Sequence, residues 1–226
     1  MSYFKKYQEF LFEATLDVTI DKLAKTIDSY EWSDDYIDHF KKDLGYRFLG
    51  GGASAEVLIS KDGKEIVKIF GPKEDPGMVR FLSFCIKNQR NTFVPKIREI
   101  EKAWIEEENR WMYGVYMEPL KESEEISDFK RELDDVMFGQ TPKILALGDN
   151  PTILNNPKNS KIYMEEIKRV VAKYSKVNEK DLHDLISFLF MHINKYKQMI
   201  DFGPQNWMLR GSDQLVLIDP FWPLKD

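Results

Sequence analysis

The hydrophobic pattern of this chain changes its period twice, and the two changes limit the folds open to it. Apolar residues recur every three or four positions over residues 2–42, which predicts helices. From Tyr46 the pattern is that of short strands separated by glycine and Asp-Gly turns, and after Pro119 it is mostly helical again. Strands grouped between two helical stretches are typical of an α+β fold. The sequence therefore predicts three regions: a helical extension over 1–43, a β-rich lobe over 44–119 and a helical lobe over 120–226.

Local signals predict the individual elements within these regions. One helix is predicted over 17–27, and a second over 33–42 with Ser33 as its cap. Asp75-Pro76 predicts the start of a helix that runs to about residue 87. Later helices are expected near 123–138, 161–174 and 180–199, and hairpin strands near 97–106 with 110–118 and near 207–209 with 215–218.

Composition excludes several classes of protein. The chain has 226 residues and one cysteine, Cys85, so no internal disulfide can form. Its three histidines have no zinc-site spacing, no apolar run reaches membrane length, and the first residues lack the apolar stretch of a secretory signal. The net charge of −5 opposes sequence-independent nucleic-acid binding. We therefore expect a globular protein of a reducing compartment, with neither nucleic acid nor membrane as a partner.

The most specific chemical signal is a trio of polar residues near the end of the sequence. Asn206 follows Asp201 by five residues, and Asp219 follows Asn206 by thirteen. Phosphoryl transfer uses one carboxylate to orient the attacking hydroxyl, and an amide with a second carboxylate to hold Mg²⁺. Two turns that carry polar residues would explain each member of the trio taken singly.

Two further features of a nucleotide site lie upstream in the expected order. The stretch Gly50-Gly51-Gly52-Ala53-Ser54-Ala55-Glu56-Val57 fits G-x-G-x-x-G-x-V, with Ala55 at the third glycine place. A backbone without Cβ atoms can approach phosphate oxygens and donate N–H groups to them. Lys68 follows inside an apolar strand, and its ammonium would reach either solvent or a cleft that holds phosphates. A plain hairpin turn and a solvated lysine are the alternatives, but the order of all these features favours phosphoryl transfer.

At these residues the chain resembles the protein-kinase-like superfamily, and within it the early serine/threonine protein kinase of T-odd coliphages. The similarity covers about residues 44–222 and rests on Leu49 to Gly52, on Val67 to Cys85 and on Asp201 to Pro220. It implies a two-lobed fold that binds ATP and Mg²⁺ and phosphorylates Ser or Thr of a host protein. The implied location is the host cytoplasm, with packaging in the virion as an alternative.

The resemblance also implies a role for each residue. Asp201 would be the catalytic base, and Asn206 and Asp219 would hold Mg²⁺. Lys68 would bind phosphate, and Glu118 would belong to a hinge over 115–119 whose backbone meets adenine. The loop that covers the nucleotide would comprise Gly50, Gly51, Gly52, Ala53, Ser54 and Val57.

Departures from the kinase pattern keep other functions open. The helix predicted after Asp75 has no glutamate to pair with Lys68. Only seven residues follow Asp219, so we expect a truncated C-terminal lobe without an activation segment. Both features favour a pseudokinase that binds nucleotide or a partner without turnover. The sequence Ile218-Asp219-Pro220 instead resembles small-molecule phosphotransferases.

The N-terminus has a second, weaker likeness. Residues Tyr7 to Ala14 resemble the leader of proteins packaged in T-even phage heads, and Leu11-x-Glu13 is similar to the prohead protease site. This likeness predicts a mature protein that begins at Ala14. An ordinary amphipathic helix explains the same residues.

Overall fold

A computed structural model of the chain describes residues 20, 22–51, 55–72, 75–121, 126–137, 157–196 and 206–221. These residues divide between two compact units. The sheet unit contains the described residues up to Gln89 together with Lys96–Pro119, and the helical unit contains Arg90–Pro95 together with the described residues from Leu120 onward. Helices and strands both contribute, so the fold is mixed α and β.

A six-stranded sheet forms most of the sheet unit. Its strands are β1 Lys25–Thr26, β2 Arg47–Gly51, β3 Ala55–Ile59, β4 Ile66–Phe70, β5 Ile97–Ile105 and β6 Arg110–Met117. They lie in the order β1-β5-β6-β4-β3-β2, and all neighbours are antiparallel except β1 and β5, which are parallel. β3 and β4 therefore lie inside the sheet, with a hydrogen-bonded neighbour on each side.

The helix predicted over 17–27 is wrong at its C-terminal end. Lys25–Thr26 form strand β1 instead, parallel to β5. The chain then continues along β5, where the Tyr30 N–H donates to the Trp104 carbonyl at 2.9 Å and the Glu106 N–H donates to the Tyr30 carbonyl at 2.9 Å. Hydrogen bonds to a strand some 75 residues away override the local helical pattern, which carries no information about them.

A short helix forms where the second one was predicted. Helix α1, Ser33–Asp38, continues into a π-helical turn, His39–Asp43. The predicted cap is wrong, because Ser33 is the first helical residue and Trp32 is the cap. The Ser33 N–H donates to Glu108 Oε1 at 2.8 Å, so a distant carboxylate satisfies the helix start at this position.

The two faces of the sheet have different surroundings. One face packs against α1 and the π-helical turn. The buried cluster on that side comprises Tyr36, Ile37, Phe40, Leu58, Val67, Ile69, Ala103, Ile105 and Met112. Successive side chains of a strand point to opposite faces, so Lys68, between Val67 and Ile69, lies on the other face.

Helix α2, Pro76–Lys87, begins and ends as predicted. Asp75 is its cap, and Asp75 Oδ1 accepts a hydrogen bond from the Met78 N–H at 2.9 Å. Proline at the first helical position has the φ angle of a helix and needs no hydrogen bond there. Because this start signal is local, sequence alone was sufficient to find it.

The helical unit combines helices with a two-stranded hairpin. Its elements are α3 Ile126–Met137, α4 Pro157–Tyr174, α5 Glu179–Tyr196, β7 Trp207–Arg210 and β8 Gln214–Leu217. Within the predicted apolar stripe of α5, Leu182, Leu185, Ile186, Leu189 and Phe190 are buried as expected, whereas Tyr196 is half-buried. In the part of the chain that the structure describes, no helix is long and apolar enough to cross a membrane.

The segment Arg90–Pro95 lies between α2 and β5 in sequence but belongs to the helical unit. The Arg210 guanidinium of β7 donates to the carbonyls of Thr92 at 2.7 Å and Val94 at 2.8 Å. The Asp181 carboxylate of α5 accepts from the Thr92 N–H at 2.9 Å. The segment is thus fixed to both the hairpin and the helix of that unit.

Candidate functional site

Four residues form one row across four strands of the sheet. Gly50 of β2 is paired with Val57 of β3, Val57 with Lys68 of β4, and Lys68 with Val115 of β6. Directly paired residues of neighbouring strands lie on the same face. Since strands are spaced about 4.8 Å apart, the Gly50 and Lys68 backbones are about 10 Å apart. We call Gly50, Val57, Lys68 and Val115 the lysine row.

Lys68 is buried, with only 6% of its surface exposed. The solvated lysine considered as an alternative is therefore wrong, because the side chain is covered and does not extend into solvent. Burial of an ammonium group costs free energy that negative or polar groups must offset. This environment favours a lysine that binds an anion over one that serves only solubility.

The glycines that end β2 are not required by the fold of the sheet. Among the described residues, no atom lies within 4 Å of a Cβ atom added at Gly50, and the Gly50 φ is not positive. A Cβ atom at Gly51 would make ordinary contacts, with the Ala55 carbonyl at 3.4 Å and the Phe48 ring at 3.5 Å. No described side chain therefore fills the space beside Gly50. The rest of the predicted loop, Gly52, Ala53 and Ser54, lies outside the described residues.

Glu118, in the predicted hinge, follows β6 directly. Its N–H donates to the Lys96 carbonyl at 3.1 Å, and its Oε1 accepts from the Lys96 N–H at 2.8 Å. Its N–H is therefore engaged within the sheet unit. If Glu118 contacts adenine through its backbone, the contact would use its carbonyl oxygen.

The hairpin of the helical unit brings two predicted metal ligands to one end. Asn206 directly precedes β7 and is buried, while the half-buried Asp219 lies two residues beyond β8. The Ile218 N–H donates to the Asn206 carbonyl at 2.8 Å, so the residue before Asp219 lies against Asn206. We call Asn206 and Asp219 the hairpin end. Asp201 lies outside the described residues, and its role as catalytic base stays a prediction.

The hairpin end offers oxygen ligands of the kind that Mg²⁺ prefers. Among the described residues, no group of three or more His, Cys, Asp or Glu side chains could hold a metal ion by itself. Mg²⁺ commonly binds one or two carboxylates and completes its shell with waters and substrate phosphates. Asn206 and Asp219 therefore fit a metal ion that is bound together with a nucleotide.

Sequence reasoning missed a buried carboxylate in the sheet. Glu101 accepts hydrogen bonds from the Tyr36 hydroxyl at 2.9 Å and from the Tyr116 hydroxyl at 2.8 Å. Burial, reinforced by the negative charge of Glu101, raises the pKa of both tyrosines above the usual range. A Cβ atom at Gly114 would lie 2.7 Å from the Tyr36 hydroxyl, so this strand glycine makes room for the network. An isolated glycine within a strand is typical of such a close approach, so Gly114 was a signal for this network in the sequence.

Glu101 lies on the face of the sheet opposite to Lys68, so the two side chains do not pair across that sheet. Glu101 is paired with Gly114, and Gly114 with Ile69. Its side chain therefore lies on the Ile69 face of the sheet, opposite to the face of Lys68. Helix α2 contains no glutamate, so the usual Lys–Glu ion pair of kinases stays unassigned.

A buried histidine in α5 was also missed. His192 is 1% exposed, and its ring stacks on the Phe221 ring with centroids 4.0 Å apart. His192 follows Leu189 by three residues and Leu185 by seven, which is the spacing of the apolar stripe. A polar ring at a stripe position was therefore the signal that could have identified it.

The sequence matches no protein-family model, and none of the curated proteins matches it. The residues and their geometry are therefore the basis for inferring function. They provide a buried lysine two strands from a glycine backbone in one unit, and an amide with a carboxylate at a hairpin end in the other.

Proposed function

We propose that this protein has a two-lobed, protein-kinase-like fold, binds ATP with Mg²⁺, and transfers the γ-phosphoryl group to Ser or Thr of a host protein. The observation that carries the proposal is the lysine row, in which the buried Lys68 lies two strands from the open backbone of Gly50. A cation and a backbone without Cβ atoms suit the oxygens of a polyphosphate, because phosphate can approach such a backbone closely. The likeness to coliphage kinases makes phage origin and action in the host cytoplasm part of the proposal.

The proposed roles divide the chemistry among few residues. Lys68 would neutralise phosphate charge, and Asn206 with Asp219 would hold Mg²⁺, which offsets the charge that develops on the phosphates. Asp201 would orient the acceptor hydroxyl and accept its proton. Most of the rate enhancement in phosphoryl transfer comes from such positioning and charge neutralisation.

Two other functions are each favoured by a specific observation. A pseudokinase that binds nucleotide without turnover is favoured because α2 contains no glutamate, the residue that kinases place in this helix. A small-molecule phosphotransferase is favoured by Ile218-Asp219-Pro220. All three functions require ATP binding, and they differ in what receives the phosphoryl group.

Incubation with γ-labelled ATP and Mg²⁺ separates the three functions. The protein is tested alone, with lysate of the bacterial host, and with a panel of small hydroxyl compounds. Label on host proteins supports the kinase, and label on a small compound alone supports the phosphotransferase. Binding of ATP without transfer to any acceptor identifies the pseudokinase.

Nucleotide binding has its own test in the lysine row. Saturating ATP with Mg²⁺ should raise the melting temperature, since a ligand that binds only the folded state stabilises it. Lys68→Met keeps the apolar stem but removes the charge, and should weaken ATP binding by about tenfold or more, because hydrogen bonds to charged groups contribute about 1.5–3 kcal/mol. Lys64→Met, in an exposed turn, is the matched control and should bind as wild type. No shift in the wild type at millimolar ATP would remove all three functions.

A further inference from the structure

An aromatic cluster packs against the chain just beyond Asp219. The imidazole of His192 stacks on the Phe221 ring, with centroids 4.0 Å apart and ring planes at 29°. The Tyr196 ring lies 4.7 Å from His192, and the Phe188 ring lies 6.2 Å from Phe221. Phe221 is itself buried, so its ring is enclosed by this packing.

Asp219 lies between this cluster and the hairpin. On its upstream side, the hydrogen bond from the Ile218 N–H to the Asn206 carbonyl at 2.8 Å holds the preceding residue. On its downstream side, Pro220 restricts its own φ to about −65° and leads directly to Phe221. β8 ends at Leu217, so Asp219 is beyond the strand ladder. The backbone at Asp219 is therefore anchored on each side.

We infer that His192 is a positioning residue for metal binding at Asp219. Its stack on Phe221 holds the downstream side of Asp219 and so sets the carboxylate relative to Asn206. The metal-binding part of this inference rests on the proposed function, whereas the anchoring is a property of the protein alone. Residues that orient a metal ligand typically change metal affinity by about 10–100-fold when they are lost.

Three variants test the stack. His192→Leu and Phe221→Leu each remove one of the two rings but keep apolar bulk, and His192→Phe keeps an aromatic ring against Phe221. We expect the two leucine variants to raise the Mg²⁺ concentration for half-maximal ATP binding by about tenfold, with Mg²⁺-free ATP affinity unchanged. His192→Phe should stay closer to wild type than His192→Leu, because it keeps a ring against Phe221. Leu182→Val, at the other end of α5, is the control for a truncated core side chain and should also leave the Mg²⁺ dependence unchanged.

Hydrogen exchange at the Ile218 amide gives a second readout that needs no nucleotide. Loss of the stack should speed exchange there by about tenfold, because the local opening free energy falls. The Leu209 amide, which donates to the Lys121 carbonyl at 2.8 Å, should be unaffected and serves as the internal control.

The outcomes separate this inference from the proposed function. Wild-type exchange at Ile218 in both leucine variants overturns the inference, whatever the nucleotide result. Failure of the wild type to bind ATP with Mg²⁺ overturns the proposed function, while faster Ile218 exchange would still support the anchoring. If the leucine variants do not fold, Phe221→Met decides, because it removes the stacked ring without altering the imidazole, and wild-type Ile218 exchange in that variant overturns the inference.

Discussion

The lysine row and the hairpin end are held in place by different means. Lys68 lies on an interior strand, paired with Val57 on one side and Val115 on the other. Asn206 and Asp219 lie beyond the ends of a two-stranded hairpin. A backbone hydrogen bond joins Asn206 to Ile218, the residue before Asp219. Backbone pairing fixes the first set, and the second set depends on side-chain packing as well.

This difference predicts how each set responds to substitution. A residue held by strand pairing keeps its backbone position when a neighbouring side chain changes, so its own chemistry dominates the effect. A residue held by packing is sensitive to rings that never touch the ligand, such as the His192 ring against Phe221. Substitutions at a distance should therefore affect the hairpin end more than the lysine row.

The largest effect is expected from substitution of Asp201 and Asp219, the predicted base and one of the predicted metal ligands. Asp201→Asn should reduce phosphoryl transfer by about 10²-fold or more, which is typical for loss of a general base, and should leave ATP affinity near wild type. Asp219→Asn should lose Mg²⁺-dependent ATP binding as well as transfer. Binding and transfer assays measure the two effects separately.

Asp213→Asn, in the exposed turn of the same hairpin, is the control for the two aspartate variants. It should behave as wild type in both assays. Transfer by Asp201→Asn at the wild-type rate would show that Asp201 is not the base. If the Asp201 and Asp219 variants lost ATP binding and phosphoryl transfer to the same extent, the different roles proposed for them, base and metal ligand, would be contradicted.

Two glycine variants of the sheet unit should differ in stability. A Cβ atom at Gly114 would meet the buried Tyr36 hydroxyl at 2.7 Å and Glu101 Cγ at 3.2 Å. Gly114→Ala should therefore lower the free energy of unfolding by about 1–3 kcal/mol, as overpacking of a core does. The added Cβ atom of Gly50→Ala meets no atom of the described residues within 4 Å, so this variant should be neutral or slightly stabilising. Denaturant unfolding measures both, and equal stability of the two variants would contradict the account of the Glu101 network.

The same network predicts a pH dependence of stability. The folded-state pKa of Tyr36 lies above its usual value of 10.0, chiefly because of burial and then because of Glu101. Folding therefore favours the neutral hydroxyl, and this contribution is complete below pH 10 and decreases as the pH rises above it. Tyr36→Phe should cost about 1 kcal/mol or more at pH 8, since Glu101 loses a buried donor, and the difference from wild type should shrink at pH 11. Urea midpoints at the two pH values provide the measurement, and a constant difference would refute the linkage.

The smallest effect is expected at the start of α2. Asp75→Ala removes the acceptor of the Met78 N–H and should lower the free energy of unfolding by about 1 kcal/mol. Asp75→Asn keeps a capping oxygen and should recover most of that loss. Thermal unfolding of the two variants checks the prediction, and equal losses would point to the negative charge rather than to the cap.

Much of the local structure was predictable because its causes are close in sequence. Asp75 and Pro76 start α2 through contacts within one turn, and the stripe from Leu182 to Phe190 identifies the buried side of α5. The approach of Asn206 to Ile218 follows from two short strands joined by a tight turn. These are short-range effects of periodicity, capping and turn geometry.

Other features depend on contacts between distant parts of the chain. β1 exists because β5 provides hydrogen bonds, although the residues of β1 continue a helical pattern. The segment Arg90–Pro95 belongs to the helical unit because Arg210 and Asp181 bind it. No local pattern encodes such partners.

The sequence by itself determined the types of most elements, because these depend on periodicity and turns over a few residues. It also determined that the glycine turn precedes Lys68 along the chain and that Asp219 follows Asn206 by thirteen residues. Tertiary structure decided the burial of Lys68, the separation of Glu101 onto the opposite face and the stack of His192 on Phe221. The physical reason is that burial and ring packing depend on which distant surfaces meet, and a one-residue change of strand register would exchange the two faces of the sheet.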